Sequence, residues 1–157
     1  MADETLLLLA REVRGKTLRI LTEVTEAKAL WAPPGLSNSI LWHAGHALIV
    51  VEHLSVSGAT GKPPVYPADW FEKFSWTSKP ATVKSWPSLE EVRAKLVDQA
   101  ERLTSAITGL SETQLNQPTG DGANPRTLRF SIFHGLHDEA DHQGEMWLLK
   151  KLQTKAK

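Results

Sequence analysis

Between His134 and Glu145 the chain places three histidines and four carboxylates in twelve residues, inside a segment whose apolar positions otherwise keep helical spacing. On an α-helix, residues four apart share a face. His134, Asp138 and His142 form such a series, each step only about 40° from perfect stacking. Imidazole and carboxylate on adjacent turns can reach one cation, which is the chelation logic of helical metal motifs. A helix with this stripe constrains the rest of the chain, which has to supply a third polar arm.

The other histidines supply it. All six lie in two clusters, His43, His46 and His53, then His134, His137 and His142, with none between 54 and 133. Positions 43, 46, 50 and 53 follow helical spacing, so three histidines and Val50 share one stripe. Two helices with inward polar stripes are how bundles build metal sites in their cores. Cysteine is absent, which leaves only nitrogen and oxygen ligands. That set suits zinc or nickel first, with iron or manganese also compatible.

Composition excludes several other classes. A length of 157 residues predicts one domain, 1–157, large enough for a real core. Lys+Arg and Asp+Glu are both 18, so no basic field favours nucleic acid. No run of 18 apolar residues occurs; even Leu6–Ala10 is followed at once by Arg11 and Glu12, which argues against a membrane span. The start, Met-Ala-Asp-Glu, is unlike a secretory signal. With no cysteine to oxidise, the expected compartment is the cytoplasm.

Taken in order, residues 3–30 read as a first helix, with Leu6, Leu9, Val13, Ile20, Val24 and Ala27 on its apolar stripe. Arg11, Glu12, Arg14, Lys16 and Arg19 fall mostly on the solvated side, and no chemistry is assigned there. Trp31-Ala-Pro-Pro-Gly35 breaks the helix. Ser37 or Ser39 caps a second helix over about 38–57. Trp42 and Glu52 lie off its histidine stripe, and Gly45 leaves room for a backbone or a ligand to approach closely. Prolines and glycines rule out a long helix over 58–87, yet its aromatics predict an ordered crossover with a helical turn at Ala68–Phe74. Ser88-Leu-Glu-Glu91 is a capping box opening a third helix to about 109. Ser111-Glu-Thr-Gln114 is a weaker one, and 118–122 read as a turn-rich loop. Asn124-Pro125 sets the cap of a fourth helix running to about 153. The fold class is therefore all-α, a four-helix bundle with a long crossover between helices two and three, and no strand-period segment competes.

Spacing favours His46, central in its stripe, with Asp138 and His142 opposite. His134 and His43 remain competitors for these places. His137 lies about 140° around the helix from His142, so the two cannot face one ion. Glu139-Ala-Asp-His142 is one Glu-x-x-His motif, whereas a di-iron bundle needs two plus two further glutamates.

Ser39-Ile-Leu-Trp-His-Ala-Gly-His46 with Val51-Glu52 resembles the second-helix motif of the DinB/YfiT-like superfamily of four-helix-bundle metalloproteins. Asp138-Glu-Ala-Asp-His142-Gln-Gly-Glu145-Met-Trp-Leu-Leu resembles its last-helix motif. The common family form has histidine where Asp138 stands; the mycothiol-dependent isomerase branch is similar to this chain in carrying a carboxylate. The resemblance implies metal ligands at His46, Asp138 and His142, a small-molecule substrate and a homodimer. It also implies a metal-dependent transferase using a low-molecular-weight thiol as cosubstrate, or a hydrolase using metal-activated water. Glu145, one turn past His142, is the candidate catalytic base or supporting group. Two alternatives come from other classes. One is a non-catalytic metal-binding stress or interaction protein; the other is a phosphotransfer bundle, which needs one exposed histidine and is disfavoured by the clustering.

Overall fold

A computed structural model describes residues 3–119 and 126–155. Asp3 caps α1 (Glu4–Thr22) by accepting from the Leu6 amide. The first helix ends earlier than its apolar spacing predicts. Thr25 turns its hydroxyl back onto the Lys28 amide and starts a separate α2 (Glu26–Leu30). A Ser or Thr side chain that bonds the backbone in this way competes with continuation of the helix.

Of the two candidate serines, Ser39 is the cap of α3 (Ile40–Val51), accepting from the Trp42 amide. This helix runs on through a π-helical segment (Glu52–Val56) into α4 (Ser57–Thr60) and stops at left-handed Gly61. In the crossover, α5 (Trp70–Phe74) forms where the aromatics predict a helical turn, followed by a single 3₁₀ turn at Pro80–Thr82. The two capping boxes are both present, opening α6 (Leu89–Gly109) and α7 (Glu112–Leu115). The expected cap at Asn124-Pro125 lies outside the described residues; α8 spans Leu128–Lys155. Just before it, β1 (Pro118–Thr119) pairs antiparallel with β2 (Arg126–Thr127). This two-residue ladder is too short to carry a periodicity and leaves the class all-α.

The four long helices form the bundle. α1 packs on α6 and α8, and α3 packs on the same two, so α1 and α3 stand at opposite corners. The core is divided in two. Ile20, Leu21, Leu41, Leu48, Phe74, Leu96 and Met146 belong to one apolar cluster. Leu6, Val13, Leu103, Ile107, Ile132 and Leu136 belong to the other.

Between these clusters in sequence, on all four helices, lies a buried polar layer. Arg14 donates to both oxygens of Glu139, at 2.8 and 2.9 Å, to the Leu96 carbonyl at 2.8 Å and to Gln99 Oε1 at 2.7 Å. Thr17 donates to Glu139 at 2.6 Å, and Gln143 donates to Thr17 Oγ1 and the Val13 carbonyl. Gln99 Nε2 continues the layer to the Leu48 carbonyl and to Glu52, where Arg102 adds two more bonds. Arg14 is 4% exposed and Glu139 0%, so the layer overturns the placing of Arg14 on a solvated face. Burying a carboxylate demands a paired cation with its remaining hydrogen bonds satisfied, and Arg14 is that cation.

Candidate metal centre

The site lies where α3 faces α8. Every residue of α3 is buried, because α8, α6 and α5 cover it from three directions. His43 and His46 are thereby removed from water while keeping polar neighbours on α8 and, for His46, on the crossover. Gly45 brings the crossover close: a Cβ there would fall 2.3 Å from the Phe74 ring. That approach sets the Phe74 carbonyl 2.7 Å from His46 Nδ1. A carbonyl only accepts, so Nδ1 carries the proton and Nε2 presents its lone pair.

His46 Nε2 lies 3.8 Å from Asp138 Oδ2, and His142 Nε2 lies 3.6 Å from the same oxygen. The three atoms belong to a group lying within 4.8 Å of one another. Asp138 Oδ2 is buried and has no hydrogen-bond partner. A buried carboxylate oxygen left bare between two imidazole nitrogens is costly unless a cation sits among them. Tetrahedral zinc with bonds of about 2.0–2.1 Å would set neighbouring donors about 3.3 Å apart, close to the separations found. The residues present therefore fit a divalent ion.

A second cluster adjoins the first through the other nitrogen of the same ring. His142 Nδ1 is 3.0 Å from Glu145 Oε2, His43 Nδ1 is 2.8 Å from that oxygen, and the two nitrogens are 2.9 Å apart. These are hydrogen-bond lengths. With the His142 proton on Nδ1, Glu145 Oε2 accepts from it and the Nε2 lone pair faces Asp138; His43, His142 and Glu145 are also a second group whose ligand atoms lie close enough to hold a metal ion. A carboxylate behind a ligating histidine sets its tautomer and raises its basicity. Burial, with His142 and His46 adding to it, pushes His43 down to about 3. Burial also lowers His46, against the raising effect of its bond to Phe74. Both rings are neutral at pH 7, the form a metal requires.

Trp42 completes the enclosure. Its ring stacks on His46 at 4.7 Å and 20° and meets His43 and His142 edge-on at 5.1 and 5.9 Å. Its Nε1 donates to Ser78 on the crossover at 2.9 Å. The helical stripe placed Trp42 away from the histidines, and it belongs to their wall. Glu52, expected at the surface or beside the ligands, is held by Gln99 and Arg102 instead.

His134 stacks on Phe130 at 5.7 Å. His137 is exposed, 3.7 Å from Asp141, with its ring over Phe133. His53 Nε2 sits 2.6 Å from the Tyr66 hydroxyl, within Phe71 and Trp76. None of the three joins the metal centre. Glu139, the candidate di-iron glutamate, faces Arg14. The structure thus brings together His46, Asp138 and His142, with His43 and Glu145 behind them. A signal for Glu139 was present in the sequence. Ile132, Leu136, Glu139, Gln143 and Met146 follow one core stripe of α8, and all five are buried, so a carboxylate at its middle needs a buried partner from another helix.

Fold and site together define a helical bundle with a nitrogen-and-oxygen cluster between two adjacent helices, α3 and α8. The chain belongs to the DinB superfamily, which it matches over residues 9–146. It is also similar to the crystal structure of a conserved protein from Enterococcus faecalis, with a TM-score of 0.73 and 18% identity, over 97% of each chain. That likeness shows the shared fold. No curated protein matches the sequence.

Proposed function

We propose that this protein is a divalent-metal-dependent enzyme, a thiol-dependent transferase or a hydrolase, acting on a small molecule in the cytoplasm. The observation that carries the reading is the buried, unpartnered Asp138 Oδ2 between His46 Nε2 and His142 Nε2. His46, Asp138 and His142 would hold the ion, zinc or nickel in the first instance, with iron or manganese compatible with the same donors. The Phe74 carbonyl and Glu145 hold the two imidazoles in the tautomer that leaves Nε2 free. Three protein ligands leave coordination positions for a ligand, the arrangement of a catalytic rather than a structural site. The ion would supply Lewis acidity to whatever occupies them.

The chain's own residues supply the rest. Trp42 keeps the inner side apolar, which strengthens electrostatic contacts there. Glu145 stands at the rim, its side chain 56% exposed, placed to accept a hydrogen bond or a proton from a ligand entering beside His43. With no cysteine in the chain, a thiol has to arrive as cosubstrate.

Elemental analysis of protein purified without a histidine tag tests this. About one divalent ion per chain, lost in both His46→Ala and Asp138→Ala, is the expected result. Wild-type protein that holds no metal and takes up none on titration would overturn it. The non-catalytic reading, a metal-binding interaction protein, would then lose its basis as well.

A further inference from the structure

Beside the His43–Glu145 pair, a cleft of about 290 Å³ opens between the 35–38 loop and α8. Leu36 and Leu148 give it apolar walls, and Ser37 and Asn38 edge it with small polar groups. Among the described residues, Glu145 is its only carboxylate, and neither lysine nor arginine lines it. The two oxygens of that carboxylate have different surroundings. Oε2 is taken by His43 and His142, while among the described residues no hydrogen bond reaches Oε1. A negatively charged oxygen with free acceptor capacity therefore borders an open cleft that meets the candidate metal centre through Glu145 and His43, both in contact with His142, while His46, Asp138 and His142 do not themselves line it.

We propose that this cleft selects a ligand carrying an ammonium group, which pairs with Glu145 Oε1 while a second donor of the same molecule reaches toward His46, Asp138 and His142. The inference rests on the metal-centre reading and narrows it to a substrate class, compact amines with a metal-seeking group. A carboxylate or phosphate at the same place would meet Glu145 with no lining cation to offset it, and like charges brought together across an interface are selected against. Leu36 and Leu148, 65% and 57% exposed, would cover the carbon skeleton. Glu145 thus has two separate tasks: Oε2 orients His142, and Oε1 reads the charge of the ligand.

The test uses full-length protein loaded with cobalt(II), its content verified by elemental analysis before and after titration. Cysteamine and 3-mercaptopropionate share a thiol and a two-carbon spacer and differ in the charge at the far end. Each is titrated while the cobalt–thiolate absorbance is followed. The expected result is that the preference for cysteamine over 3-mercaptopropionate falls by about fivefold or more in Glu145→Gln, a range set by partly exposed charge pairs. Comparing the ratio across variants cancels the difference in intrinsic thiol acidity. Should Glu145→Gln lose cobalt, Leu148→Lys answers the same question by adding a cation to the wall, and it should shift the preference toward 3-mercaptopropionate. A ratio unchanged in these variants, or loaded protein that binds neither thiol, overturns the inference. Failure of wild type to load cobalt identifies the metal-centre reading as the fault instead.

Discussion

A methyl group on residue 45 would have to occupy space held by the Phe74 ring, 2.3 to 2.5 Å away. Gly45→Ala should therefore push α5 outward, costing about 1–3 kcal/mol of stability in urea unfolding, as overpacked cores do. Because the Phe74 carbonyl sets the His46 tautomer, the same variant should bind metal about tenfold more weakly. An unchanged unfolding midpoint and affinity would show that the crossover gives way freely there. The spacing of residues 43–46 already marked Gly45 as a place of close approach, and the structure shows that a phenyl ring fills it. Trp42 was illegible for a related reason. Helical-face arguments assume a wet side, and α3 has none. A residue rotated away from the histidine stripe still turns toward other protein, and here it folds back onto His46.

At the level of whole elements, the buried polar layer joins the four long helices. Arg14→Met leaves Glu139 buried without its cation, and breaking one side of such a pair costs about 3–5 kcal/mol. Replacing both, as Arg14→Met with Glu139→Leu, should recover part of that loss. Chemical denaturation of the three proteins measures it; a single variant as stable as wild type would show that water replaces the guanidinium. The fates of helices α6 and α7 were legible because a capping box is a local signal, written in four consecutive residues. The end of α1 was not, since Thr25 breaks the helix with one side-chain bond inside an apolar pattern that continues past it. Nor was Arg14, whose burial depends on a glutamate 125 positions away.

Across the whole molecule, the bundle was readable from periodicity, but the interior charge that sets its response to acid was not. His53 is held below its ordinary pKa by burial, with Glu52 opposing, and the Tyr66 hydroxyl caps its ring. Below about pH 6.5 the unfolded chain takes up a proton that the folded one resists. Stability should accordingly fall as pH drops from 7 to 5, and less steeply in His53→Gln; equal slopes in the two proteins, from urea unfolding at both pH values, would contradict it. His53 reaches Tyr66 from within the π segment, Glu52–Val56. Geometrically, such a segment is a helix that holds one residue more than its length requires. Deleting that residue would return the segment to ordinary α-helix, leaving His43 and His46 in place and α4 close to its present register against α8. A relative built without the Glu52–Gln99–Arg102 contacts has no use for the extra residue, so an alignment of such chains should show a single-position gap just after Val51, with both metal-facing helices undisturbed.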